Sequence, residues 1–168
     1  MSNLGQIETT EFRVTLFTSA FQARGALHVP AALQTYLNNE SQATMSVFNV
    51  EVLGLEASNP ARMTQPEIIV NKRACQIILF ESTPAPGSVA ILPRFESLVA
   101  YVDGFAVAGK YYMGQDSRLN DFAESSMQQF LLVSDMRLYP IIQARPGLVL
   151  SAPMGIVHKG AIHFFHRG

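Results

Sequence analysis

Cysteine is nearly absent from this chain, which has only Cys75. A lone thiol excludes an internal disulfide and every zinc pattern built on several cysteines. Cys75 lies between Ala74 and an apolar run, so it reads as a buried, inert thiol rather than a nucleophile. Net charge is missing too: 12 lysines and arginines face 13 aspartates and glutamates, leaving −1. The whole molecule therefore has no electrostatic footprint for nucleic acid or acidic lipid. Nine of the twelve cations are arginine, which suits planar, specific contacts better than diffuse attraction. No apolar run approaches the roughly 20 residues a membrane helix needs, and the first residues, MSNLGQIETTEF, are polar and slightly acidic. The reading is a soluble, cytoplasmic protein with a short N-terminal segment over residues 1–12. Also lacking are a Gly-x-Ser-x-Gly elbow, a phosphate-binding loop and a dinucleotide fingerprint. Neither enzyme chemistry nor a cofactor is expected.

What is present is apolar and repetitive. Of 168 residues, 48% are hydrophobic and 15% charged, a globular rather than a disordered balance. The length allows one domain or two of roughly 80 residues. Two stretches, FQARGALHV and FAVAGKYYM, align Phe21 with Phe105 and Gly25 with Gly109. Further on, LQTYLN aligns with LNDFAE, placing Leu33 on Leu119 and Tyr36 on Phe122. SVFNVEVLG aligns with LVSDMRLYP, placing Val47 on Val133, Asn49 on Asp135 and Val52 on Leu138. Finally IVNKRACQII aligns with IVHKGAIHFF, placing Lys72 on Lys159 and Ala74 on Ala161. Four blocks in one order, with nearly constant spacing, indicate a tandem duplication. Residues 13–81 form the first copy and 97–168 the second. The linker over 82–96 has three prolines and one glycine, and its Val89, Ile91 and Leu92 are expected to pack along one copy.

Within each copy the dominant period is two, with runs rich in Val, Ile and Phe that read as strands. Gly25 and Gly109 fall inside strand patterns, where glycine marks a bulge or sharp bend. One short helix interrupts each copy. The first follows Pro30, expected in its opening turn, and buries Leu33, Tyr36 and Leu37; the second is capped by Asp116 or Ser117 and buries Leu119 and Phe122. Each copy reads β-β-α-β-β-β.

Five short, bent strands with glycine in the second point to a small barrel, and the second copy resembles the Sm-like family in detail. Val99, Tyr101, Gly104, Val107, Gly109 and Tyr111 stand at the places of that family's first motif. Asp116, Leu119 and Asn120 continue it, one residue late. Lys159 and Gly160 stand where its second motif has Arg and Gly. The first copy keeps Gly25 but has Ala20 where the motif has glycine, and no aspartate before LQTYLN. The resemblance implies two tandem five-stranded barrels. It places base recognition on Asn120, support on Asp116, and phosphate or base contact on Lys159 and Gly160. The competing reading makes Asp116 a helix cap and Lys159–Gly160 the turn of a hairpin. The wording RVTLFT…G.LHVP and RLNDF…FLLVSDM is also similar to an uncharacterised bacterial domain family.

The C-terminal stretch GIVHKGAIHFFHRG holds His158, His163 and His166. On a continuous strand His158 and His163 face opposite sides, and the first copy has Asn71, Gln76 and Leu79 at their places, so no metal is expected. The stretch reads as a repeated hairpin with lysine at its turn. Ser134–Asp135 with His158 is the one conceivable catalytic set, against a plain exposed face. Open strand edges need covering, so the sequence points to a non-catalytic binding or assembly module that associates with itself or another protein. If barrels pair edge to edge as in Sm proteins, three tandem chains fill a six-membered ring. The alternative is single-stranded RNA binding through the second copy; an enzyme or small-ligand barrel ranks third. Neither DNA nor a membrane is an expected partner.

Overall fold

The computed structural model describes residues 8–85, 87–89, 91–92, 94–113, 118–125 and 129–168. The first half holds β1 (Thr10–Phe17), β2 (Phe21–Val29), α1 (Leu33–Asn38), β3 (Thr44–Gly54), β4 (Arg62–Asn71) and β5 (Ile77–Phe80). The second half holds β6 (Arg94–Val102), β7 (Phe105–Met113), α2 (Leu119–Ser125), β8 (Phe130–Pro140), β9 (Ser151–His158) and β10 (Phe164–Arg167). A 3₁₀ turn precedes the last strand of each half, at Lys72–Ala74 and Lys159–Ala161. The protein is mainly β. β1 starts three residues before the boundary read from sequence, and β6 takes in the last residues assigned to the linker.

All ten strands form one antiparallel sheet in the order β10-β6-β7-β8-β9-β5-β1-β2-β3-β4. It is continuous across both halves and open at its two ends, β10 and β4. Within each half the spatial order is fifth, first, second, third, fourth, and the registers agree. Val14 opposite Gly25 in the first half becomes Leu98 opposite Gly109 in the second; Met45 opposite Val70 becomes Leu131 opposite Val157. The ladders also break at the same places, between Arg24 and Ala26 and between Ala108 and Lys110. The glycine at each break has a steric cause. A Cβ on Gly25 would stand 2.7 Å from the Phe48 carbonyl oxygen, and one on Gly109 2.9 Å from that of Ser134. The facing strand turns at Asn49 and Asp135, both with φ of 50°, a left-handed conformation that Asn and Asp tolerate best among residues with a Cβ.

The connection from β4 to β5, and from β9 to β10, was expected to be a hairpin turn. It is not one. The two strands it joins lie at opposite ends of their half's order, so the 3₁₀ turn at Lys72 or Lys159 carries the chain across the half rather than back along it. Pro30 stands before α1, whose Leu33, Tyr36 and Leu37 are buried as expected. Asp116 and Ser117, the expected cap of α2, lie outside the described residues. From the linker, Val89 packs into the core of the first half and the Ser88 carbonyl accepts from Leu33 N–H at 3.1 Å, while Ile91 is exposed. No helix among the described residues is long and apolar enough to cross a membrane.

Candidate functional site

The candidate site begins where the halves meet. β5 pairs with β9 in the register Ile77–Val157, Ile78–Ile156, Leu79–Gly155, Phe80–Met154. Both strands are apolar on both faces, as IILF and MGIV dictate, and all eight residues are buried. The two faces feed different cores. Ile78, Phe80, Met154 and Ile156 join the core of the first half, together with Phe130 and Leu132 of β8. Ile77, Leu79 and Val157 join the core of the second, together with Phe17 and Leu55 from the first. Each core is thus completed by side chains of the other half. Phe17 meets Phe105 edge-on at 5.3 Å between ring centres. A second strip runs alongside: Arg145 N–H donates to the Leu55 carbonyl at 2.8 Å, Ala57 N–H to that of Gln143 at 2.9 Å, and the Arg145 guanidinium to that of Asn59 at 2.9 Å.

Beside this junction lies a cavity of about 530 Å³, walled by α1, the two 3₁₀ turns and the start of β8. Asn38 ties its walls together, accepting from Gln129 and Phe130 N–H at 2.7 and 3.2 Å and donating to the Gln34 carbonyl at 2.9 Å. The His158 ring stacks on Phe130 at 4.8 Å. Its buried Nδ1 has no hydrogen-bond partner among the described residues, and burial lowers its pKa because a charged ring there loses hydration. Lys72 is turned inward. Its ammonium donates to the carbonyls of Tyr36 at 2.6 Å and Asn39 at 3.3 Å and sits 4.7 Å from the centre of the Tyr36 ring. Desolvation lowers its pKa and raises that of Tyr36. It braces the C-terminal end of α1 and is only 6% exposed. Arg73, beside it, is exposed on the cavity rim.

The residues singled out from the sequence are only partly gathered here. Gly160 lines the cavity; Asn120 is exposed on α2 and does not line it; Lys159 N–H donates to the Gln129 carbonyl at 2.7 Å. Asp116 lies outside the described residues. The histidines go separate ways. His158 faces the cavity, His163 meets Asp103 at 2.8 Å, and His166 sits 3.3 Å from the Tyr101 hydroxyl. No group of three His, Cys, Asp or Glu side chains fit to hold a metal occurs among the described residues. Ser134 bonds to the Tyr112 hydroxyl at 2.9 Å, and Asp135 meets Lys110 at 3.2 Å; neither is engaged with His158. Cys75 is fully buried and its thiol pKa is pushed up to about 12, chiefly by desolvation, which suppresses thiolate chemistry. Sequence reasoning missed the interleaved cores. Their signal was the unbroken apolar runs IILF and FLLV, which mark strands covered on both faces.

Compared with models of protein families, with curated proteins and with solved structures, the chain matches none.

Proposed function

We propose that the protein is a self-assembling module, a tandem pair of Sm-like small barrels whose two open edges join those of further copies by repeating the junction already present inside the chain. Tandem duplication is part of this reading, and the equal strand orders and registers of the halves support it. One observation carries the assembly. Among the described residues eight large hydrophobics are exposed, and four of them stand where the matching residue of the other half is buried in the inner junction. Phe21 is 37% exposed where Phe105 is 0%; Ile69 is 70% where Ile156 is 0%. Ile141 is 60% where Leu55 is 0%, and Phe164 is 60% where Ile77 is 0%. Exposed apolar positions that coincide with buried counterparts mark an interface awaiting its partner. The two edges are unlike, β4 on one side and β10 on the other, so the contact is head-to-tail and closes into a ring where the rotation permits.

Displacing the inner register onto the edges pairs Phe164 with Val70, Phe165 with Ile69, His166 with Ile68 and Arg167 with Glu67 of the next copy. Three chains complete a six-membered ring of barrels. The test is mass by light scattering at micromolar concentration: assembly of three chains gives about 56 kDa, three times 18.5 kDa. Ile69→Lys and Phe164→Lys place a charge on opposite edges at exposed positions and each return the protein to one chain. A wild-type protein that stays at 18.5 kDa, or edge variants that assemble normally, overturns the reading.

A further inference from the structure

The cavity beside the junction draws its charge from one half and its aromatic wall from the other. Lys72 and Arg73 line it from the first half, and among its described lining residues the only carboxylate is that of Glu40. His158, whose pKa burial lowers, is neutral at pH 7. The described lining therefore carries one positive charge in surplus. Lys72 already directs its ammonium at the Tyr36 and Asn39 carbonyls. Arg73 is placed differently: Asn71 Oδ1 accepts from its backbone N–H at 3.0 Å and fixes the turn, while its guanidinium, exposed on the rim, meets no carboxylate among the described residues. From the second half, Phe130 stands opposite His158 in the ladder and their rings stack. Gly160 keeps the far side of the imidazole clear, where a Cβ would stand 3.4 Å from His158 Cε1 and 3.6 Å from Nε2.

We infer that this cavity binds a small organic monoanion, a carboxylate on an aromatic or apolar body, with the carboxylate on the Arg73 guanidinium and the body against Phe130 and Leu37. An arginine fork matches the two oxygens of a carboxylate. A volume of about 530 Å³ lies within the roughly 300–1,000 Å³ that small-molecule sites occupy. His158 adds a donor without adding charge. A neutral imidazole carries its proton on one nitrogen only, and with Nδ1 buried and unpartnered among the described residues the proton is better placed on Nε2, beside Gly160. A phosphate group brings roughly two negative charges at pH 7, more than the surplus of one it would meet. The duplication also limits the site to one per chain. The matches of Phe130 and His158 in the first half are Thr44 and Asn71, paired in the same way but with no rings to stack, and the match of Gly160 is Arg73. The site is complete within one chain, so it stands whether or not copies associate.

The test is a titration of the full chain with benzoate, benzamide and inorganic phosphate, followed by protein NMR, with thermal melts to establish that each variant folds. Benzoate binds saturably, one per chain, with a dissociation constant on the order of 1 mM, the range open to so small a ligand. Benzamide has the same shape without the charge, and phosphate the charge without the body; each binds at least about tenfold more weakly. Arg73→Ala, at an exposed side chain, weakens benzoate about tenfold. Gly160→Val fills the space beside His158 Nε2 and weakens it similarly without altering a charge. If Gly160→Val does not fold, Arg73→Ala decides. Benzoate that does not saturate by about 10 mM, benzamide or phosphate that binds as tightly as benzoate, or a folded variant of either kind with wild-type affinity overturns the site.

Discussion

Replacing Lys72 with methionine removes an ammonium while keeping an unbranched apolar side chain in its place. Two carbonyls at the end of α1, those of Tyr36 and Asn39, lose their donor at 2.6 and 3.3 Å. A hydrogen bond from a charged group contributes about 1.5–3 kcal/mol, and a cation at a helix C-terminus about 0.3–1 kcal/mol. Opposing these is the desolvation of an ammonium that is 6% exposed, the burial that also depresses its pKa. The Tyr36 bond is short and buried, whereas the Asn39 bond is long and partly open. We therefore count one full bond and expect a net loss of about 2 kcal/mol. At this chain length that lowers the melting temperature by about 4–8 °C. Urea unfolding followed by far-UV circular dichroism, at one fixed chain concentration because association shifts apparent stability, measures the loss. Arg73→Met, on the exposed neighbour, serves as the control and changes stability by less than about 0.5 kcal/mol. If Lys72→Met unfolds with wild type, desolvation cancels the bonds and the brace reasoning fails.

Two further outcomes follow from the junction. A chain ending at residue 86 loses Phe130, Leu132, Met154 and Ile156 from the core of the first half, so it fails to show a cooperative melt, and adding the second half restores one; a half-chain that melts sharply as a monomer refutes the shared-core argument. His158, with its pKa lowered by burial, binds fewer protons folded than unfolded below the unfolded value of about 6.5. Stability is thus fully present above that pH and is lost as pH falls from it towards the folded pKa. His158→Gln flattens this acid slope, and urea curves between pH 7.5 and 5 that keep the wild-type slope in the variant contradict the assignment.

Much of the framework is legible in the residues. Period-two runs gave the strands, Leu33, Tyr36 and Leu37 the buried face of α1, and Gly25 and Gly109 the ladder breaks. The alignment of Asn49 with Asp135 picked out two positions that share a left-handed φ. What stayed hidden was partner choice. Apolar runs such as IILF announce burial on both faces without saying whose core each face enters, so the interleaving through β5 and β9 needed the structure. Lys72 shows the same gap for a single residue. Beside Asn71 and Arg73 in a turn, it reads as one of several surface polar groups. Only the crossing from β4 to β5, which stands in place of the expected hairpin, brings its ammonium beneath α1. Gly160 reached the cavity and Asn120 did not, because α2 sits on its own small core of Met113, Phe122 and Leu131.

The long reach of the β5–β9 pairing also sets an order of events during synthesis. Ile77 pairs with Val157, eighty residues further along, so at about 5–20 residues per second its partner is made roughly 4–16 s later. For that interval the first half, fully made but missing part of its core, waits on the ribosome with the edge of Ile77–Phe80 that β9 later covers unpaired, a short β-prone apolar segment of the kind that recruits a foreign strand. Neighbouring nascent chains on one message offer the same β9 sequence, so exchange between chains competes with closure within one. The inner junction, buried on both faces in the finished protein, is therefore the part most exposed to error while the protein is being made.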